Sequence, residues 1–284
     1  MKRWLTILIL ISSTLTFAER RALVIGIGAY PDVDYGWHTI HGDNDVPLVI
    51  DMLLTNGFKR VNISTLTNQE ATCSGIHQAL QKLIREAKNS DVVYIHFSGH
   101  GQQITDLDGD EPDGWDEAWI PYDALQEPTE TYQGERHLLD DELNQYLLQL
   151  RAKVGENGKV IAVSDACHSG TSTRDITDES IIRGSSAKFI LTVQPKPYAK
   201  ARPIQWIAIS ACADKECNRQ TKTPDGQPCG SLTYALYLMR HELESLTVEQ
   251  VTLRLKQQLQ PPFITRPQTP QVEYPETLKQ QRLF

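Results

Sequence analysis

Short apolar runs alternate with stretches of helical periodicity along most of the chain. Each run has the length of a strand and ends in glycine or in small polar residues, which is typical of strands covered on both faces. The predicted strands are Arg21–Ile27, Val61–Leu66, Val92–Phe97, Val160–Val163, Gln205–Ser210 and, at an edge because of its prolines, Pro270–Pro275. The predicted helices run from Asp43 or Asn44 to Gly57, from Thr72 or Ser74 to Lys88, and over Glu142–Ala152, Gly230–Leu243 and Thr247–Leu259. This order predicts an α/β fold with a mostly parallel central sheet of about six strands, flanked by helices.

Two of these strands run directly into turns that carry reactive side chains. His100 lies just past Val92–Phe97, and Cys167 lies just past Val160–Val163. If the strands are parallel neighbours, both residues lie at the carboxyl edge of the sheet, where open α/β sheets place their chemistry. A thiolate beside an imidazole is the minimum for cysteine catalysis, whereas each residue taken separately is more often structural. His168 is a poorer base than His100, because adjacent side chains diverge.

Asp165 stands two residues before Cys167 and therefore points to the same side of its strand. A carboxylate there would raise the pKa of the thiol, which is unfavourable unless the carboxylate binds a cation. An acidic pocket selects arginine, through its bidentate fork, and lysine. The alternative is a turn carboxylate that accepts hydrogen bonds from nearby backbone N–H groups.

The first 18 residues have the pattern of a secretory signal peptide. Two basic residues precede an apolar run from Trp4 to Ile11, and small and polar residues lead to Ala18. The run is short for a bilayer span, so an uncleaved anchor is the weaker alternative. The sequence therefore predicts an exported protein, periplasmic or secreted, in which residues 19–284 form one domain without membrane contact after the signal is removed.

The composition is that of an acidic globular protein. The chain is 40% apolar and 23% charged, and 28 Lys and Arg face 36 Asp and Glu for a net charge of −8. Removal of the predicted signal peptide makes the protein more acidic. No basic stripe of the kind that nucleic-acid binders need is present in the sequence, so we expect no nucleic-acid partner.

An acidic segment separates the two turns. Seven of the twelve residues of Asp106–Glu117 are Asp or Glu, and Glu111 stands where an EF-hand loop needs glycine. Crowded carboxylates repel one another unless a cation or solvent separates them, and calcium suits such oxygen-rich loops. By composition alone, a solvated acidic loop is the better interpretation. Asp140 and Asp141, further along, are suited to cap the helix that follows them.

Four cysteines remain if Cys167 is a nucleophile. They are Cys73, Cys212, Cys217 and Cys229. Export allows a disulfide, for which the last three are the best candidates, and four cysteines permit three full pairings that sequence does not distinguish. The spacing C-x4-C-x11-C, with no neighbouring histidine, is a weak signal for zinc.

The two turns resemble a known pair of motifs. SGHG at Ser98–Gly101 and DACHSG at Asp165–Gly170 are similar to the His and Cys motifs of the caspase-like cysteine peptidases, in particular the metacaspases and their bacterial relatives, the orthocaspases. The resemblance runs from about Arg21 to the C-terminal region. It implies the caspase-like three-layer fold. The Q-A-C-[RQG]-G signature of the true caspases is absent, which argues against cleavage after aspartate.

The resemblance implies a mechanism and a substrate pocket. Cys167 attacks the scissile carbonyl, while His100 assists and then protonates the leaving amine. The N–H groups of Gly101 and Cys167 are the expected donors to the oxyanion. The residues that match the pocket for a basic substrate residue are Asp45, Ser98 and Asp165. For Asp45, a first-turn carboxylate favoured by the helix dipole is an equally good interpretation.

The resemblance also implies regulation. No cofactor is needed for the chemistry, but calcium-dependent metacaspases carry acidic ligands at matching positions. These are Asp113 or Asp116, together with Asp140, Asp141 and Asp175. The loop Thr171–Pro203 matches a segment that often carries self-cleavage sites after basic residues, the alternative being a surface loop that is never cut. The resemblance favours a monomer.

Together, these patterns predict an exported cysteine endopeptidase with a Cys-His dyad that cleaves peptides and proteins after Arg or Lys, with calcium activation and self-processing implied by the resemblance. Three alternatives stay open. One is the same fold cutting after Asn or Asp. Another is a catalytically silent caspase-fold protein that binds peptides or calcium. The third is an acidic calcium-binding module whose Cys and His are structural.

Overall fold

A computed structural model describes the chain over residues 18–31, 35–109, 111–167, 182–185, 187–192, 203–213, 216–261 and 268–284. The predicted signal peptide lies outside these residues except for Ala18, and so does much of the loop Thr171–Pro203. Within the described ranges, no helix has both the length and the apolar character needed to cross a membrane.

Eleven strands and five helices are described, and six of the strands form the central sheet. The strands are β1 (Arg20–Gly26), β2 (Ile63–Thr67), β3 (Val92–Ser98), β4 (Gly101–Thr105), β5 (Trp115–Trp119), β6 (Leu138–Leu139), β7 (Lys159–Asp165), β8 (Ile207–Ser210), β9 (Gln220–Lys222), β10 (Pro228–Gly230) and β11 (Gln271–Glu273). The helices are α1 (Asp45–Thr55), α2 (Cys73–Glu86), α3 (Asp140–Val154), α4 (Ser231–Leu238) and α5 (Val248–Gln258). The central sheet has the order β11-β8-β7-β3-β1-β2, with β11 antiparallel at one edge and the other pairs parallel. The predicted α/β fold with a mostly parallel six-stranded sheet is confirmed.

Helices cover the sheet on both faces, because each strand buries alternate side chains in opposite directions. Ala22 and Val24 of β1 pack in a cluster that contains residues of α1, α4 and α5. Leu23 and Ile25 pack in a second cluster with residues of α2 and α3. All four side chains are at most 1% exposed, which explains why the strand reads as one continuous apolar run.

The two helices next to the predicted turns begin differently. Thr72 is the N-cap of α2, as predicted, and its Oγ1 accepts a hydrogen bond from the N–H of Gly75 at 3.1 Å. Helix α3 instead starts at Asp140, and Leu139 precedes it without a side-chain cap. The prediction that Asp140 and Asp141 cap this helix was therefore wrong. Both lie in its first turn, where carboxylates still interact favourably with the helix dipole.

The structure contains a second, smaller sheet that was not predicted from the sequence. Strands β4, β5 and β6 form it, and all are antiparallel. Ile104 is the one large apolar residue of β4, so this strand has no apolar pattern to read. The described residues of the acidic segment consequently form the turn of a β-hairpin, and its last residues, Asp116 and Glu117, belong to β5. A separate hairpin joins β9 and β10.

Replacing Thr72 with alanine is expected to lower the free energy of unfolding by about 1 kcal/mol, because the N–H of Gly75 loses its acceptor. Thr72→Ser keeps the hydroxyl and serves as the matched control. Urea denaturation followed by circular dichroism measures both, and the m value should stay constant. Equal transition midpoints for the two variants would show that this cap does not stabilise α2.

Candidate active site

The register of the central sheet brings the two predicted turns together. β3 and β7 are parallel neighbours, with Ser98 opposite Asp165. His100 and Cys167 each follow two residues later, at the same carboxyl edge. Both are buried, with exposures of 0% and 1%. The structure thus positions the predicted base and nucleophile at one edge of the sheet, as the strand pattern indicated.

His100 lies among aromatic side chains and is fixed in one tautomer. Its Nε2–H donates to the backbone carbonyl of His38 at 2.8 Å, so Nδ1 carries the lone pair. Nδ1 is buried and has no hydrogen-bond partner among the described residues. Trp37 stacks on the ring at 4.9 Å between centroids, and the Tyr30 hydroxyl accepts the N–H of His100 at 3.0 Å. Burial, with a smaller contribution from His38, lowers the pKa of His100 to about 3, so the ring is neutral at physiological pH.

These supporting residues were not predicted from the sequence. No helix or strand was predicted between Ile27 and Asp43, and no third member of a catalytic triad was identified. The group that orients His100 is the backbone carbonyl of His38, which leaves no signal in a sequence. Tyr30 and Trp37, two large aromatic residues in an otherwise polar loop, were the available signal.

Cys167 is held as a neutral thiol. Its Sγ donates to the backbone carbonyl of Glu216 at 3.2 Å and makes hydrogen bonds with Cys212 and Cys217. The hydrogen bond with Cys212, together with burial, raises the pKa of the Cys167 thiol to about 12. Nucleophile and base are therefore both uncharged in this state.

The side chain of Arg183 fills a buried pocket below this edge. Its Nη1 lies 2.5 Å from Oδ2 of Asp45 and 3.8 Å from Oδ1 of Asp165, and it also donates to the hydroxyl of Ser98. Nη2 donates to the backbone carbonyl of His41 at 3.4 Å. The guanidinium and both carboxylates are fully buried. The three residues that the resemblance assigned to the pocket thus meet around one cation, and that cation belongs to the chain itself.

Asp45 is fixed as a pocket carboxylate rather than serving only the helix dipole. Its Oδ1 accepts the N–H of Gly230 at 2.8 Å, and its Oδ2 accepts the hydroxyl of Ser98. Burial raises the pKa of Asp45, and the charge of Arg183 opposes that shift. Asp45 lies in the first turn of α1, as the helix-dipole interpretation expected. Its hydrogen-bond partners, however, lie in the pocket, as the resemblance implied.

A chain of buried hydrogen bonds supports Asp165. Its Oδ1 accepts Nδ2 of Asn218 at 2.7 Å, and its Oδ2 accepts both the N–H and the Oγ1 hydroxyl of Thr233, at 2.7 and 2.6 Å. Oγ1 of Thr233 in turn lies 3.0 Å from Nε2 of His96, whose Nδ1 lies 3.1 Å from the Tyr94 hydroxyl. Burial lowers the pKa of His96 to about 4. Asp165 does accept a backbone N–H, but from α4, far along the chain.

The backbone N–H and carbonyl groups of Arg183 are both hydrogen-bonded. Its carbonyl oxygen accepts the N–H of Cys167 at 2.8 Å and the N–H of Gly101 at 3.3 Å. Its own N–H donates to the carbonyl of Asn218 at 3.0 Å. Two residues on, the N–H of Ser185 donates to the carbonyl of Gly101 at 3.3 Å. The two N–H groups that were predicted to bind an oxyanion therefore hold the carbonyl of a chain segment.

The residue after Arg183 is a glycine because there is no room for a side chain. A Cβ on Gly184 would overlap the carbonyl oxygen of Cys167 and lie 2.9 Å from its Cβ. The same residue pairs with Gly101 in a parallel bridge. The peptide bond between Arg183 and Gly184 thus lies against the backbone and Cβ of Cys167.

An acidic group lies near the small sheet. Glu111, Glu117 and Asp140 each offer a carboxylate oxygen, and these oxygens lie within 4.8 Å of one another. Asp106 shapes the loop by accepting three of its backbone N–H groups, at 2.6, 2.9 and 3.2 Å. Clustered carboxylate oxygens of this kind fit a hard cation such as calcium. Of these three residues, only Asp140 was predicted from the sequence to be a calcium ligand.

The other predicted calcium ligands are placed unevenly. Asp113 is exposed and accepts a backbone N–H at 3.2 Å. Asp116 is buried, and burial, with the charges of Asp140 and to a smaller extent Asp141, raises its pKa to about 8. Asp116, Asp140 and Asp141 are therefore close enough to interact. Asp175 lies outside the described residues.

All five cysteines are free thiols. None of the disulfides considered among Cys212, Cys217 and Cys229 is formed in the structure. Cys73 lies apart on α2, where its Sγ contacts Nε2 of His77 at 3.2 Å.

Similar sequences among known proteins are metacaspases. Metacaspase-1 of Botryotinia fuckeliana is 33% identical over 160 residues, which cover 54% of this chain and 35% of that protein. Metacaspase-1B of Aspergillus clavatus is 25% identical over 295 residues, covering 88% of this chain and 68% of that protein. Metacaspase-1 of Plasmodium falciparum is 29% identical over 228 residues, covering 77% and 34%. The chain spans about a third of the length of the first of these relatives.

Solved structures show the same fold. A Geobacter sulfurreducens protein of known crystal structure aligns with a TM-score of 0.65 and 22% identity, over 94% of this chain and 98% of that one. Caspase-1 of Spodoptera frugiperda aligns with a TM-score of 0.53 and 11% identity, over 90% and 86%. The model of the metacaspase peptidase C14 domain matches residues 20–175, more than half of the chain, and this region includes His100 and Cys167. The chain therefore belongs to the metacaspase family of caspase-like C14 peptidases.

Proposed function

We propose that this protein is an exported, monomeric cysteine endopeptidase that cleaves on the carboxyl side of arginine and, less well, lysine. One observation carries the proposal. Arg183 lies against Asp45 and Asp165 while its carbonyl oxygen accepts the N–H groups of Gly101 and Cys167. An arginine held in this way is bound as a substrate residue would be. Family membership supports the activity, and the signal-like residues 1–18 support export.

In the proposed mechanism, the thiol of Cys167 gives its proton to Nδ1 of His100 as Sγ attacks the carbonyl carbon. The N–H groups of Gly101 and Cys167 stabilise the oxyanion. The imidazolium, oriented by the carbonyl of His38, then protonates the leaving amine, and the C–N bond breaks to leave a thioester. Water that loses a proton to Nδ1 hydrolyses the thioester and restores the thiol.

The pocket suits arginine better than lysine. The guanidinium donates from two terminal nitrogens, one toward Asp45 and Ser98 and the other toward the carbonyl of His41. A lysine ammonium is a single, more compact donor and reaches fewer of these acceptors. Substrates with asparagine or aspartate would leave two buried carboxylates without a cation, which is unfavourable.

The first substrate is the chain itself, at the bond between Arg183 and Gly184. While this segment occupies the groove, no other peptide enters, so the uncut chain is latent. The raised pKa of Cys167, about 12, fits a latent state because little thiolate is present at neutral pH. Of the bonds in the loop Thr171–Pro203, the proposed site of self-processing is therefore the one between Arg183 and Gly184.

Calcium is the proposed activator, and Glu111, Glu117 and Asp140 are its proposed ligands. Bound there, the ion would neutralise mutually repelling carboxylates. A cavity of about 220 Å³ extends from Glu117 and Asp140 to Cys212 and Glu216, which contact the nucleophile. Because one cavity joins the acidic group to residues that contact Cys167, calcium binding in the acidic group would affect the active site over a short distance.

The first prediction from the proposed function concerns the pocket. Asp45→Asn is expected to lower kcat/KM for arginine peptides by about a hundredfold or more, because one buried charge partner of the guanidinium is lost. Asp51→Asn, an exposed change on the same helix, is the matched control. Fluorogenic peptides ending in Arg, Lys, Asn and Asp measure the profile, and Arg should be cleaved fastest.

Two results would contradict this pocket. One is an equal rate on arginine peptides for Asp45→Asn and Asp51→Asn, when circular dichroism shows both to be folded. The other is activity that survives in Cys167→Ala, which should lose about ten-thousandfold or more in kcat, while Cys73→Ala stays active. No cleavage of any peptide and no cleavage of the chain itself would favour the catalytically silent alternative.

The second prediction concerns self-processing. The purified protein should yield two fragments divided between Arg183 and Gly184, at a rate independent of protein concentration if the cut occurs within one molecule. Gly184→Val should not be cut there, because its side chain would collide with Cys167. Ala187→Val, an exposed change in the same segment, should be cut as usual. Intact-mass measurement over time decides, and fragments that begin only at other residues would refute this site.

The third prediction concerns calcium. Isothermal titration calorimetry should detect binding with a dissociation constant roughly between 0.1 and 1 mM, as in extracellular modules. Glu117→Gln and Asp140→Asn should weaken binding and the activation of peptide hydrolysis in parallel, whereas exposed Glu130→Gln should not. Unchanged binding in both acidic-group variants would place the ion elsewhere.

A further inference from the structure

Two sulfur atoms share one acceptor at the active edge. Sγ of Cys167 donates to the carbonyl oxygen of Glu216 at 3.2 Å, and Sγ of Cys212 donates to the same oxygen at 3.3 Å. Both residues are free thiols. The nucleophile of the proposed peptidase therefore has another cysteine as a direct neighbour, which the reaction itself does not need.

A third thiol belongs to this group. Cys217 makes a hydrogen bond with Cys167 through their sulfur atoms. Cys212 and Cys217 are both partly exposed, whereas Cys167 is 1% exposed. A dissolved oxidant can thus reach either flanking cysteine before it reaches the buried nucleophile. The remaining cysteines lie elsewhere, Cys73 on α2 and Cys229 in β10.

We propose that this cluster is an oxidation site, in which Cys167 forms a reversible disulfide with Cys212 or Cys217. The inference rests on the proposed function for its consequence, because a disulfide at Cys167 removes the nucleophile and halts peptide cleavage. The disulfide is expected in an oxidising compartment, the one to which an exported protein is sent.

The chemistry is thiol–disulfide exchange with a small-molecule disulfide such as oxidised glutathione. The thiolate of Cys212 or Cys217 attacks one glutathione sulfur, forms a mixed disulfide and releases one glutathione thiolate. Cys167 then loses its proton and attacks the protein-side sulfur, which forms the internal S–S bond and releases the second glutathione thiolate. Two protein thiols thereby lose two electrons and two protons, and the oxidant becomes two molecules of glutathione.

The test uses the full chain in buffers of defined reduced and oxidised glutathione, quenched by alkylation. Peptide mapping by mass spectrometry should find Cys167 linked to Cys212 or Cys217, without retained glutathione. Hydrolysis of an arginine peptide should fall as this linkage forms and return fully on reduction. Cys73→Ser is the matched control and should oxidise like the wild type.

The double variant Cys212→Ser/Cys217→Ser separates this site from general oxidation. Whatever its rate in reductant, it should form no internal disulfide with Cys167 in oxidant. A wild-type protein that links only Cys212 to Cys217 and stays active would overturn the proposal, as would a wild-type Cys167 that only retains glutathione.

Peptide mapping detects the disulfide whether or not the protein is active. The peptidase function and the oxidation site can therefore be refuted independently. An inactive protein that still links Cys167 to a flanking cysteine would remove the peptidase function and leave the oxidation site. An active peptidase that forms no such linkage would do the reverse.

Discussion

The buried group of Arg183, Asp45 and Asp165 is the interaction on which the active edge depends. Two carboxylates so far from water are unfavourable unless a cation lies between them, and here one guanidinium serves both. The carboxylates are held by donors from distant parts of the chain, the N–H of Gly230 for one and Thr233 for the other. The buried carboxylates of the pocket therefore require a positively charged group, and this requirement matters more than the shape of the pocket.

Burial and neighbouring polar groups keep the dyad uncharged while the segment around Arg183 lies in the pocket. With the groove filled, the thiol of Cys167 has a raised pKa and the ring of His100 a lowered one, so both are held in their uncharged forms. If the segment leaves and water enters, the desolvation of both groups would decrease. That change would ease transfer of the proton from sulfur to Nδ1.

Much of this site was predictable because the sequence pattern shows where the buried strands end. The apolar runs and the small residues after them located His100 and Cys167 at one edge, and the resemblance added Asp45 and Ser98. The sequence did not single out Arg183, since its loop contains several basic residues and only the folded pocket distinguishes one of them. The carbonyl of His38 is backbone and carries no residue signal.

Other features were hidden for different physical reasons. Strand β4 is almost wholly polar, so pairing with β5, and not an apolar pattern, defines it. The acidic group formed by Glu111, Glu117 and Asp140 combines a loop and the strand after it with a helix that begins further along the chain. The sequence indicated a concentration of negative charge in this region, but not which carboxylates come into contact.

The order of strands in the sheet has a consequence for the product of self-cleavage. β7 precedes the bond between Arg183 and Gly184, and β8, its parallel neighbour, follows it. Cleavage would therefore leave two polypeptides that share one sheet and one apolar cluster, with α4 and α5 of the second piece packed against α1 of the first. Thr233 and Gly230, which hold the pocket carboxylates, would then come from the other polypeptide. A protein cleaved at this bond would be a complex of two fragments of one chain, and dilution, which does not affect the uncut chain, would favour their dissociation and the loss of the active site.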